Sequence, residues 1–290
     1  MRNIYENGIE SLSIQITQNC NMRCSYCYYS SKVNNSINKK IVDKCVRGVF
    51  LSKGMYKNFI ITGGEPFLDF EKFCYVVNRI IKEGKRSNKK YRIVCPTNGA
   101  VMTKEIADFI EKNNIIVSFS IDGEPKEHNR FRKTVNGKGS LSKIMKSISY
   151  LDKEYFNKNC FVSMTIHPKM VDKLVKNYAY IYKNIHKNIE IFPCRFVKWS
   201  KADKTRYNKY VSLINLKLNK KNQTVENKGL YVDVFGNIFP CSLFTNKKLD
   251  KYEMKIGQIK PEKIVIKTEF KNKKIKSCAE ICHNICKKFY

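Results

Sequence analysis

Several things are scarce in this chain of 290 residues. It has one Trp, 7 Pro, 4 His, and only 25 acidic residues against 56 Lys and Arg. No apolar run approaches the ~20 residues a bilayer-spanning helix needs, so no membrane segment is expected. The first ten residues lack the apolar stretch of a secretory signal, and the expected location is cytoplasmic. Arginine is scarce too, supplying 10 of the 56 basic residues. Arg is the side chain suited to forked phosphate contacts. The formal charge of +31 is therefore read as the Lys-heavy composition of an AT-rich genome, and nucleic acid is not expected as a partner. The charge still favours solubility and draws acidic ligands at low salt.

Cysteine is what the chain has in quantity, with 12 residues. In a cytosolic protein, clustered cysteines bind metal or do chemistry more often than they form disulfides. Seven fall in close spacings near the two ends. Cys45, Cys74, Cys95 and Cys160 lie in apolar stretches and are expected in the core.

The apolar pattern alternates between two periods. Strands are expected at 12–16, 59–61, 91–95, 115–121, 160–166 and 189–192. Helices are expected at 41–51, 70–81, 104–111, 141–155, 171–185 and 204–218. Six strand–helix pairs in succession imply parallel strands with right-handed crossovers. The expected fold class is α/β, a partial (β/α)6 TIM-like barrel over residues 1–218. Functional residues should lie where strands end. A polar linker at 219–228 leads to a hairpin at 230–239, with its turn at Gly236 and Asn237. Residues 219–290 are read as a small Cys-rich C-terminal module.

The first cysteine group is Cys20-Asn-Met-Arg-Cys24-Ser-Tyr-Cys27, directly after the first strand. Three thiolates in eight residues can converge on one iron–sulfur cube and leave one iron open for an outside ligand. A structural zinc would want a fourth ligand nearby, and the first His is His128.

Cys20, Cys24 and Cys27, with Tyr26 before the last, resemble the radical SAM superfamily. The resemblance implies a [4Fe–4S] cluster whose open iron chelates S-adenosylmethionine. Reductive cleavage then gives a 5′-deoxyadenosyl radical that takes a hydrogen atom from the substrate. Thr62-Gly63-Gly64-Glu65-Pro66 resembles the family's GGEP motif, which holds the methionine amino group, with Gly64 central. Thr97-Asn98-Gly99 follows the third strand. Ser118-Phe-Ser120-Ile-Asp122-Gly123 resembles the SIDG segment of the peptide- and protein-modifying branch. There the serine contacts the cofactor, a role carried to Ser120, and an arginine twelve residues on contacts its carboxylate. That position is Arg132, with Arg130 a near competitor. Ile189 matches a position that packs on the adenine.

At the other end, Gly236-x4-Cys241 is followed by Cys278, Cys282 and Cys286. Four thiolates suffice for one closed [4Fe–4S] cluster, or for one structural zinc with His283 spare. The arrangement resembles a reduced SPASM or Twitch module and implies one auxiliary cluster. It departs from a full SPASM module, which carries about seven cysteines. Cys194 is a candidate catalytic hydrogen donor, an outlying ligand, or a buried inert thiol.

The branch implies a ribosomally made peptide or protein as substrate, and flavodoxin or ferredoxin as electron donor. A basic surface suits an acidic leader peptide. No N-terminal peptide-binding domain is expected, because the first strand starts near Leu12. The alternatives are a small-molecule or RNA substrate, formylglycine formation in a sulfatase, or a metal-binding protein without catalysis. Sulfatase maturases place an aspartate directly after the Gly-x4-Cys cysteine, where this chain has Ser242, a poor base. Asp233 and Asp250 are possible substitutes.

Overall fold

A computed structural model describes residues 9–29, 32–195, 197–217, 229–239, 257–260 and 264–266. Six strands carry the barrel: β1 (Ser11–Thr17), β2 (Tyr56–Gly63), β3 (Lys90–Thr97), β4 (Ile116–Ser120), β5 (Cys160–Ile166) and β6 (Ile189–Pro193). Each pairs in parallel with the next. Parallel strands need a crossover between them and bury both faces. Accordingly β1 hides Leu12, Ile14 and Ile16 along with Ser11, Gln15 and Thr17. The alternation of β2 and β5 places Phe59, Ile61, Val162, Met164 and Ile166 in the interior.

The helices are α1 (Lys39–Leu51), α2 (Phe70–Ser87), α3 (Lys104–Lys112), α4 (Pro125–Phe131), α5 (Leu141–Ile148), α6 (Lys153–Asn159), α7 (Leu174–Asn184) and α8 (Lys201–Lys217). Short polar side chains start several of them, satisfying N–H groups that have no partner within the helix. Asn38 accepts from the N–H of Lys40, Asp69 from Lys72 and Thr103 from Ile106.

Two expected helices differ from the structure. The stretch 141–155 is two helices, because α5 closes at Ser149 and Asp152 caps a new start by accepting the Tyr155 N–H at 2.9 Å. The stretch from Val171 opens as a 3-10 turn, Pro168–Lys173, before α7 begins. Helix α4, with Pro125 in its first turn, is too short to show a helical period.

The expected hairpin is present as β7 (Gly229–Val232) and β8 (Asn237–Phe239). Its turn runs from Asp233 to Gly236, slightly earlier than expected. The Asp233 carboxylate accepts the N–H groups of Phe235 and Asn237, and Gly236 takes a positive φ of 76°. β7 pairs in parallel with β1, Val232 opposite Ile14. With β9 (Gly257–Ile259) and β10 (Ile264–Ile266) it makes one ten-stranded sheet among the described residues, ordered β10-β9-β8-β7-β1-β2-β3-β4-β5-β6.

Cys45, Cys95 and Cys160 are buried, while Cys74 on α2 is only half-buried. No described helix is long and apolar enough to cross a membrane. Under the sheet, Phe73 is fully buried and meets Phe67 and Phe109 edge-on, with Phe70 stacked beside it. Replacing Phe73 by Ala leaves a cavity among three rings. Denaturant unfolding of Phe73→Ala is expected to show a loss of about 3–5 kcal/mol; a loss below about 1 kcal/mol would mean the rings do not form a packed core.

Candidate active site

The cysteine loop leaves β1 at Thr17, whose hydroxyl accepts the Asn19 N–H at 3.1 Å and donates to the Asn35 carbonyl at 3.2 Å. Cys20 is buried, and its Sγ accepts the Met22 N–H at 3.4 Å. The N–H of Cys27 turns back onto the carbonyl of Cys24. The segment 131–135 runs alongside this loop like a short strand. Arg23 N–H donates to the Lys133 carbonyl, Ser25 N–H to that of Phe131, and Val135 N–H to that of Asn21, at 2.8–3.0 Å. Met22 bridges to Thr134 and is fully buried. Tyr29, at the loop's far end, shares a 2.9 Å hydroxyl contact with Tyr231 of β7.

Burial pushes the Cys20 thiol up to about 11 and raises Cys24 as well; Arg132 pulls Cys24 back in part. Among the described residues no three ligating side chains gather around a single-ion position. A cubane needs no such point, since its three thiolates go to three different irons.

The GGEP turn closes the loop's other side. Gly64 N–H donates to the Thr17 carbonyl and Glu65 N–H to that of Asn19. A Cβ on Gly64 would fall 2.4 Å from the Asn19 carbonyl oxygen, and one on Gly63 2.7 Å from that of Thr17. Close backbone approach is why glycine is needed here. Glu65 is wholly buried. Its Oε1 accepts from the Thr97 hydroxyl at 2.7 Å and the Phe67 N–H at 3.3 Å, and its Oε2 from the Asn98 N–H at 2.8 Å. Asn98 Nδ2 then donates to Asn21 Oδ1 at 2.9 Å and lies 3.9 Å from Cys20 Sγ. Glu65 thus ties the end of β3 to the cysteine loop.

The third anchor is Asp122, just past β4 and wholly buried. Its Oδ1 accepts the Thr165 N–H of β5 at 2.9 Å. Its Oδ2 accepts Arg132 Nε at 2.8 Å and the Tyr26 hydroxyl. The Arg132 guanidinium sits 5.4 Å from the Tyr26 ring centroid. Arg130, the competing candidate, points elsewhere: it is half-exposed and approaches Glu127 at 3.8 Å.

Ser120 is the last residue of β4 and half-buried. The register places Thr97, Phe119, Val162 and Ile189 in one row across β3 to β6, so buried Ile189 is level with the end of β3. Cys194 follows β6, is buried, and burial pushes its thiol up to about 12. Sequence reasoning missed His128 and Ser140, which close a ring of hydrogen bonds behind Arg132. No spacing rule marks them. Cys241, Ser242, Asp250, Cys278, Cys282, His283 and Cys286 lie outside the described residues.

The profile of the Radical SAM superfamily matches residues 14–179, from β1 into α7. The chain belongs to the radical SAM superfamily. Membership makes it an enzyme whose cofactors are a [4Fe–4S] cluster and S-adenosylmethionine. The three-thiol loop and the backbone cradle at Gly63 and Gly64 fit them. A cysteine-type anaerobic sulfatase-maturating enzyme of Clostridium novyi (strain NT) is 28% identical over 197 residues, covering 64% of this chain and 52% of that protein. The chain thus spans about half the length of that relative. Among solved structures, native anSMEcpe with bound AdoMet and Cp18Cys peptide superposes with a TM-score of 0.72 at 20% identity, over 87% of this chain and 77% of that one. Streptococcus suis SuiB bound to precursor peptide SuiA gives 0.61 at 14% identity, over 83% and 61%. At these identities the likeness is one of fold.

Within this radical SAM fold, Glu65 gives a pH signature. Burial raises its carboxyl from about 4.5 to about 7. The folded state therefore holds the proton more tightly than the unfolded one. Its stabilising effect is complete below about pH 4.5 and is lost as pH rises through about 7. The melting temperature of anaerobically prepared protein should fall across that window. Glu65→Gln should show a shallower slope and, at the acid end of the window, a stability lower by about 1–3 kcal/mol, because its amide nitrogen would face the Asn98 N–H. The gap should close as pH rises through about 7 and wild type loses its own contribution. Parallel melting curves for the two proteins would rule this out.

Proposed function

We propose that this chain is a radical SAM enzyme that abstracts hydrogen from a ribosomally made peptide or from a protein side chain. The observation that carries the cofactor part is the cysteine loop, held between the GGEP turn and the segment that bears Arg132. In this reading Cys20, Cys24 and Cys27 hold the cluster. The cradle of Gly63 and Gly64 receives the amino end of S-adenosylmethionine, and Arg132 meets its carboxylate. Ser120, Tyr26 and Ile189 border the adenosyl part, while Glu65 and Asp122 position their neighbours. When bound, the cluster and S-adenosylmethionine supply reductive cleavage of the sulfonium and, from it, hydrogen-atom abstraction. The protein's own work is to hold the two in register and keep water out.

The peptide part rests on the company the chain keeps. The chain is similar in sequence to a sulfatase-maturating enzyme, and it shares its fold with a structure holding Cp18Cys peptide and one holding a precursor peptide. The C-terminal Cys241, Cys278, Cys282 and Cys286 fit one auxiliary cluster, and a flavodoxin or ferredoxin is the expected reductant. Formylglycine formation is a second reading, favoured by the maturase likeness. Ser242, standing where those enzymes place an aspartate, weighs against it, and Asp233 is already engaged in the hairpin turn.

Anaerobic reconstitution tests the assignment. Wild type should cleave S-adenosylmethionine under dithionite to 5′-deoxyadenosine, and the Cys20/Cys24/Cys27→Ala triple variant should lose that activity entirely while keeping the auxiliary iron. Zinc at the trio, or undiminished 5′-deoxyadenosine from the variant, would overturn the cofactor reading. A mass shift in a short peptide encoded beside this gene would support the substrate reading; turnover without any peptide would oppose it.

A further inference from the structure

Arg132 is held more elaborately than a single ion pair requires. Four residues form a closed ring of hydrogen bonds in which every donor sense is fixed. The Asp122 N–H donates to His128 Nδ1 at 3.3 Å. That leaves the imidazole proton on Nε2, which lies 2.9 Å from Ser140 Oγ. Ser140 in turn donates to the Arg132 carbonyl at 2.9 Å. Arg132 Nε returns to Asp122 Oδ2 at 2.8 Å. His128 and Ser140 are fully buried, and burial pushes the imidazole down to about 4, so it stays neutral. Protonation would remove the Nδ1 acceptor and break the ring.

The ring is braced from outside. Asn129 Oδ1 accepts the N–H groups of Ser140 and Leu141 at 2.9 and 3.1 Å. A Cβ on Gly139 would fall 2.4 Å from Asn129 Cγ, so any larger residue would push the Asn129 side chain out of this position. Arg132 N–H also donates to the His128 carbonyl at 2.9 Å. Backbone and Nε of Arg132 are therefore fixed. Its two terminal nitrogens have no hydrogen-bond partner among the described residues, although the side chain is about nine-tenths enclosed.

We propose that the Asp122–His128–Ser140–Arg132 ring is a positioning device that aims the free edge of the Arg132 guanidinium at the carboxylate of S-adenosylmethionine. His128 and Ser140 are its positioning residues. The inference rests on the reading above that Arg132 meets that carboxylate. It adds two buried residues that no contact with cofactor would reveal. A fork with both nitrogens unpaired loses little freedom on binding a carboxylate when its Nε and backbone are already fixed.

The test uses cluster-loaded protein under anaerobic conditions. Dissociation constants are measured for S-adenosylmethionine and for its decarboxylated analogue with wild type, Ser140→Ala and His128→Gln. Wild type should prefer the carboxylate-bearing ligand, and each variant should lower that preference by about tenfold, about 1.4 kcal/mol. A preference unchanged in both variants overturns the proposal. So does an equal loss of both ligands, which is what a general loosening of the fold would give. Wild type that binds neither ligand would instead refute the underlying reading of the site.

Discussion

Asp122 is a carboxylate with no exposed surface, and a buried carboxylate is tolerated only when its charge and lone pairs are met. Here the partners come from three parts of the chain: the cysteine loop through Tyr26, β5 through the Thr165 N–H, and the exit of α4 through Arg132. Removing any one leaves an underpaired buried charge, and losing the Arg132 side would be the most expensive, on the order of 3–5 kcal/mol. That penalty is what makes the placement of Arg132 beside the cysteine loop close to obligatory once the barrel has formed.

Glu65 does the same work on the opposite side with a different balance. It has no cationic partner among its hydrogen bonds, only an O–H and two N–H donors, and its carboxyl rises to about 7. The two acids bracket the cysteine loop. One joins it to β3 through Asn98 and Asn21; the other joins it to β4 and β5 through Tyr26. Parallel strands deliver both acids at their C-terminal ends, so a rigid scaffold positions a loop that has no regular secondary structure of its own.

The barrel was legible because parallel strands and their helices repeat a simple alternation, and the expected starts at Lys104 and Cys160 coincide with those of α3 and β5. The cysteine trio, the two glycines and the Ser120–Asp122 segment were legible because each is contiguous in sequence. What was not legible is contact at a distance. Ser140 lies 12 residues from His128 and 8 from Arg132, and no single helix or strand spans them, since α4 ends at Phe131 and α5 begins at Leu141. The break at Ser149–Asp152 was hidden because apolar spacing continues across it, and only the capping side chain of Asp152 decides the matter. The pairing of β7 with β1 joins segments some two hundred residues apart. Alternation shows that such a strand has an inner face, but it does not name the neighbour.

In the proposed role of the cysteine loop as cluster ligand, these anchors matter to metal chemistry. Ligation needs thiolates, yet burial raises Cys20 and Cys24, and Lys32 and Arg132 offset only part of that rise. The protein thus supplies enclosure and a fixed loop, while most of the positive charge that stabilises thiolate must come with the metal. Arg132 then acts in two directions. Its charge eases deprotonation of Cys24, and its unpaired edge remains available to an anion. One cation can do both because Asp122 takes only its Nε. Had the carboxylate taken the guanidinium's forked edge instead, the charge beside Cys24 would remain but the anion-binding face would be spent.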